Sequence, residues 1–111
     1  MLVLCCAALL VGCGATPLQR EPFECPPAAE VPRYSELRAV ATCIGCHDST
    51  LSAEARNGAP TPINFETSTQ ASRAAVIALS AMERGAMPPD TVVDEADILQ
   101  WRTWSACGRP E

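Results

Sequence analysis

A chain of 111 residues has room for one domain, and its ten prolines limit how much of it can be helix or sheet. Its eight cations are all arginine, set against thirteen acids for a net charge of -5, so it lacks the basic stripe that a nucleic-acid partner would require. Seven cysteines in so short a chain point to disulfides or to bound metal.

Met1 to Gly12 is almost wholly apolar. The run is too short to span a bilayer, which takes about 20 residues, but it has the length of a signal-peptide apolar region and ends in small residues. Leu10-Val11-Gly12-Cys13 resembles the lipobox of bacterial lipoproteins, in which the cysteine is lipidated and becomes the first residue of the mature protein. The resemblance implies that residues 1–12 are a lipoprotein-type signal peptide and that Cys5 and Cys6 leave with it. Acyl chains on Cys13 would then hold the protein to a membrane surface without spanning it. The expected place is the periplasmic side of the bacterial cell envelope. Gly14 stands where an acidic residue often retains lipoproteins in the inner membrane, which favours the outer one. Residues 13–33 read as a Pro-rich tether, extended and poorly packed, with Pro17, Pro22, Pro26, Pro27 and Pro32. Cys25 is the exception within it. A free thiol outside the cytoplasm is unusual, so a partner is expected.

The folded domain is expected over residues 34–111. Ser35 is placed as a helix N-cap with Glu36 in the first turn. Leu37, Val40, Ala41 and Ile44 recur at helical spacing and should make one apolar face. The helix ends in Cys43-Ile44-Gly45-Cys46-His47. Two thiols three positions apart, followed by an imidazole, have the spacing of covalent haem attachment. Each sulfur can add to one vinyl group, and the histidine lands under the iron as its proximal ligand. Residues 48–65 read as loop, broken by Asn57-Gly58, Pro60 and Pro62, with one helical turn at Ser52 to Arg56. A carbonyl between Gly58 and Ile63 is expected to accept from the second ring nitrogen of His47. Ile63 and Phe65 are candidate walls of the haem site.

Thr67-Ser68-Thr69-Gln70 has the form of a capping box, and a helix should run from it to about Arg84, stopped by Gly85. Ala71, Ala74, Ala75, Ala78 and Met82 share a face flanked by Leu79, a third candidate wall residue. So many small side chains suit either close approach to a flat group or an ordinary alanine-rich packing face. In Gly85-Ala86-Met87-Pro88-Pro89 the methionine is held extended on a proline-stiffened loop. Asp94 should cap a last helix with Glu95 and Asp97 in its first turn, filled by Ile98, Leu99, Trp101 and Trp104 and ended by Gly108 and Pro110.

The cysteines divide consistently. With Cys5 and Cys6 removed, Cys13 lipidated and Cys43 and Cys46 on haem, Cys25 and Cys107 remain and could form a disulfide. A zinc site from Cys25, Cys43, Cys46 and Cys107 competes, but it leaves His47 superfluous. A thioredoxin-like pair competes too, but it needs a βαβ frame that the sequence does not suggest. His47 is the only histidine, so a second axial ligand must be Met82, Met87 or nothing. Met82 lies on a helix face used for packing, which favours Met87. A methionine–histidine pair favours ferrous iron and raises the potential.

CxxCH at the end of a first helix, Gly85-x-Met87-Pro88-Pro89, and Trp104-x-x-x-Gly108-x-Pro110 in a last helix together resemble class I cytochromes c. The resemblance covers about Tyr34 to Pro110. It implies an all-α fold of three to four helices wrapped around one covalent haem c. Cys43 and Cys46 would be thioether anchors, and His47 and Met87 the axial ligands of the iron. It also implies that the first and last helices cross, bringing Leu37, Val40 and Ala41 near Ile98, Trp101 or Trp104. The expected function is one-electron transfer to redox protein partners, not enzymatic catalysis. The alternatives are a haem-based ligand sensor and a haem-free disulfide or metal-binding lipoprotein.

Overall fold

The structure is a computed structural model that describes residues 22–111. The apolar run 1–12, the lipobox Cys13 and the first part of the tether lie outside the described residues. Within them the chain is all-α. It has α1 (Arg38–Cys43), α2 (Ser68–Glu83) and α3 (Glu95–Ala106), with short 3₁₀ turns at Ala28–Glu30 and Tyr34–Glu36 and no strand. No helix among these residues is long and apolar enough to cross a membrane.

The first helix departs from expectation. Ser35 does not cap it; Ser35 sits inside the 3₁₀ turn, and Leu37 is extended at φ -70°, ψ 102°. The break turns Leu37 into the core, where it is 5% exposed. Backbone groups released by the break are taken up by a single distant side chain. Gln100 Oε1 accepts from the Arg38 N–H at 3.0 Å, and Gln100 Nε2 donates to the Glu36 carbonyl at 2.8 Å. Because Leu37 is out of phase with the helix that follows, the buried face also rotates. Ala39 is buried and Val40 half-buried, whereas Ala41 and Ile44 are exposed.

At the start of α2, Thr67 Oγ1 accepts from the Gln70 N–H at 3.2 Å, and Gln70 Oε1 accepts from the Thr67 N–H at 2.9 Å. This reciprocal bonding satisfies two amides that a helix start leaves open. The C-terminus is a Schellman turn. Gly85 N–H donates to the Met82 carbonyl at 3.1 Å and Ala86 N–H to the Ala81 carbonyl at 2.9 Å. Gly85 has φ +70°, the left-handed conformation that this turn needs.

The core is built where α2 and α1 pack on α3. Trp101 and Trp104 are fully buried, with ring centroids 5.4 Å apart in an edge-to-face pair. Ala71, Ala74 and Ala75 of α2 are buried against the same cluster. The small side chains let an indole reach the helix backbone, and Trp101 Nε1–H donates to the Ala75 carbonyl at 2.9 Å. Asp94 occupies the N-cap of α3, but its side chain makes no capping bond. Asp97, in the first turn, instead pairs with Arg38 at 2.5 Å and ties the two helix starts together.

The end of the tether is fastened to the domain. Cys25 and Cys107 are joined by a disulfide with Cα atoms 5.6 Å apart, and Val31 is buried. The Pro110 carbonyl accepts from both the Tyr34 N–H and Trp104 Nε1–H, each at 2.9 Å.

Candidate functional site

Helix α1 ends at Cys43, and the chain continues as a tight turn. Cys46 N–H donates to the Cys43 carbonyl at 3.2 Å and His47 N–H to the same oxygen at 2.9 Å. A Cβ at Gly45 would sit 3.3 Å from the Thr42 carbonyl oxygen, so a bulkier residue would strain this turn. The winding brings both thiols and the imidazole to one side, where Cys43, Cys46 and His47 line a single cleft. The Schellman turn then redirects the chain over that cleft. Met87 N–H donates to the Ala81 carbonyl at 3.3 Å, and Met87, Pro88 and Pro89 line the same cleft.

The cleft has a volume of about 210 Å³ and opens to solvent. Its lining is apolar apart from Thr42, His47 and Arg84. Ile63 and Phe65 lie in it, as does Ala78 from the outer part of the alanine face, joined by Ala81. The alanine face therefore divides. Its first half packs under the tryptophans and its second half borders the cleft. Leu79 is not at the cleft; it lies in a separate depression with Phe23 and Val76, because its side chain leaves α2 on another side. Ala39, Ile77 and Val93 line the cleft without having been singled out in the sequence. Ile77 and Ala81 stand four apart on α2, a helical spacing that could have placed them together.

His47 is oriented by two groups. Its Nδ1 lies 2.9 Å from the Ile63 carbonyl oxygen, within the stretch expected to supply the acceptor. A carbonyl can only accept, so Nδ1 carries the proton and Nε2 is the nitrogen left for a ligand. Phe65 meets the imidazole edge-on with centroids 5.3 Å apart, and Phe65 N–H donates to the His47 carbonyl at 3.0 Å. Arg56, 5% exposed, was missed in the sequence, where an arginine in a loop carries no burial signal. It also donates to the Ile63 carbonyl, at 3.1 Å.

Burial pushes the Cys43 thiol up to about 11, opposed by its own backbone hydrogen bond. Cys43 and Cys46 are not bonded to each other, and Cys25 and Cys107 are consumed by their disulfide. The four-cysteine zinc set is therefore broken up. Among the described residues no group of three His, Cys, Asp or Glu side chains could hold a bare metal ion.

The two methionines differ in setting. Met82 is 4% exposed and belongs to the core, although it also touches the cleft; Met87 is 41% exposed at its rim. The donor set fits a haem c: two thiols at attachment spacing, an imidazole with its tautomer fixed, and a thioether on the Met87 loop, all lining one apolar cleft. Protein-family models, curated proteins and solved structures give no match to this chain.

Proposed function

We propose that the chain is a mono-haem c-type cytochrome with a class I cytochrome c fold, a one-electron carrier held by a lipid on Cys13 at the periplasmic side of the bacterial envelope, the outer membrane being favoured. The observation that carries this reading is that Cys43, Cys46, His47 and Met87 all line one apolar cleft. A haem bound there would supply one-electron cycling between ferric and ferrous iron. The chain's own residues would do the rest. Cys43 and Cys46 would bind the macrocycle edge, and His47 would present Nε2 with its ring held by the Ile63 carbonyl. Ile63, Phe65, Ala78 and Ala81 would exclude water, and Met87 would offer the iron a thioether sulfur. His47 and Met87 would both hold the iron, which would leave no place there for a substrate and favours a carrier over an enzyme. An acidic surface suits a basic docking face on a redox partner.

The test is the intact mass of the mature protein, expressed from the whole sequence and recovered from the envelope of cells that carry haem-attachment machinery. The expected mass includes one haem on Cys43 and Cys46 and acylation at Cys13. A wild-type chain with no haem mass would refute the reading, and haem without acylation would refute the anchor alone.

A further inference from the structure

Arg56 is buried, and neither ion pair among the described residues involves it. Its guanidinium is surrounded by oxygens of uncharged groups instead. Nε donates to the Ala59 carbonyl at 3.3 Å. One terminal nitrogen donates to the Asp48 carbonyl and to Asn64 Oδ1, each at 2.7 Å. The other donates to the Pro60 carbonyl at 2.7 Å and the Ile63 carbonyl at 3.1 Å, with the Thr61 carbonyl at 3.5 Å. A guanidinium has five N–H groups, and all five have acceptors here. Arg56 therefore has no donor to spare for an external anion. Burying a cation without a carboxylate is costly, and packing the loop alone does not require a charge.

The shared oxygen gives that charge a use. The Ile63 carbonyl that accepts from Arg56 is the same one that accepts from His47 Nδ1–H. We infer that Arg56 is a positioning residue that tunes His47 through this shared carbonyl and so holds the reduction potential up; this rests on the haem reading above. Two donors on one oxygen compete for its electron density, so the cation makes Ile63 a weaker acceptor for the imidazole. The ring then keeps its Nδ1 proton more fully and donates less electron density from Nε2, which favours ferrous iron. The uncompensated charge acts in the same direction, because the ferric site carries one more positive charge than the ferrous.

The experiment uses the full-length, haem-loaded chain, with the potential measured by spectroelectrochemistry and the His47 Nδ1 proton of the ferrous protein followed by NMR. In Arg56→Gln the equilibrium constant for reduction should fall on the order of tenfold, a downward shift of about 59 mV for one electron. The Nδ1 proton should move downfield as its bond to Ile63 strengthens. Asn64→Asp sets a carboxylate beside the same guanidinium with almost no change of shape. It should lower the potential and shift the proton in the same direction without a fall in Tm. A purely structural role would lower the Tm of Arg56→Gln and leave both other readouts at wild-type values, which overturns the inference. If Arg56→Gln does not fold, Asn64→Asp decides alone. A wild-type chain without haem is recognised by its mass before any variant is made, and it overturns the cytochrome reading together with this one.

Discussion

Met87 and Met82 both reach the cleft, but only Met87 is free of the core, and this difference separates their roles. In the haem-loaded protein, Met87→Ala should abolish the methionine–iron band of the ferric form in the near infrared and let the ferrous form bind carbon monoxide. Met82→Leu keeps the volume and should preserve both properties, at a stability cost below about 1.5 kcal/mol. Absorbance spectra of the two variants check this, and the reverse pattern would assign the iron to Met82. Glu66 makes a prediction of a different kind. The Ser49 hydroxyl holds its carboxyl down to about 2, helped by the Gln70 amide, while burial opposes them. Its folded-state value is below its ordinary 4.5, so its stabilisation is complete above about pH 4.5 and is lost as the pH falls toward 2. Urea titrations across that window should show a steeper loss in the wild type than in Glu66→Gln.

The ends of α2 act on different parts of the molecule. Thr67→Ala removes a cap and should cost about 1 kcal/mol in urea denaturation. It should leave the cleft unchanged, since Thr67 is remote from the Met87 loop. Gly85→Ala places a Cβ at φ +70° and should cost a similar 1–2 kcal/mol by about the left-handed penalty for an L-residue. It should also disturb the Schellman turn that sends Met87 across the cleft, so its haem spectrum should change as well. These helix ends were legible in the sequence because the Thr67–Gln70 box and the Gly85 stop are local signals, read within a few residues. The start of α1 was not. Its break at Leu37 depends on Gln100, 62 residues beyond Arg38, and on burial of one leucine in the tryptophan core; no spacing rule carries that information. The side chain of Asp94 illustrates the same limit. Its position at the start of α3 was legible, but the acid that the fold uses there is Asp97, chosen by where Arg38 lies.

At the scale of the whole molecule, the cleft is assembled from segments separated in sequence: the end of α1, the loop carrying Ile63 and Phe65, the far half of α2 and the Met87 rim. The attachment motif and the proline-stiffened methionine announced two of these by residue type. The loop was legible only as a place where some carbonyl should meet His47. Arg56, which organises that loop, gave no sign because its partners are mostly backbone oxygens. What closes the structure is the disulfide between Cys25 and Cys107, 82 residues apart. In the chain-entropy model, cross-linking a loop of that length stabilises by about 4–5 kcal/mol. Cys25→Ser with Cys107→Ser should therefore lose much of the stability of so small a domain. Its urea midpoint should fall far below that of the wild type, and wild type treated with reductant should approach it.

The same disulfide sets the length of a leash. If Cys13 is fixed in a lipid surface, the twelve residues from it to Cys25, at about 3.3–3.6 Å each, cap the separation of the two at about 40 Å. At Cys25 the chain is bolted to Cys107, the residue that ends α3, so in that case the C-terminal end of α3 would be the part of the domain tied nearest the anchor. Opening the disulfide would move the first fixed point to the buried Val31, lengthening the leash by half and freeing the domain to swing. A bond that stabilises the fold would thus also decide how far from the membrane the cleft can meet a partner.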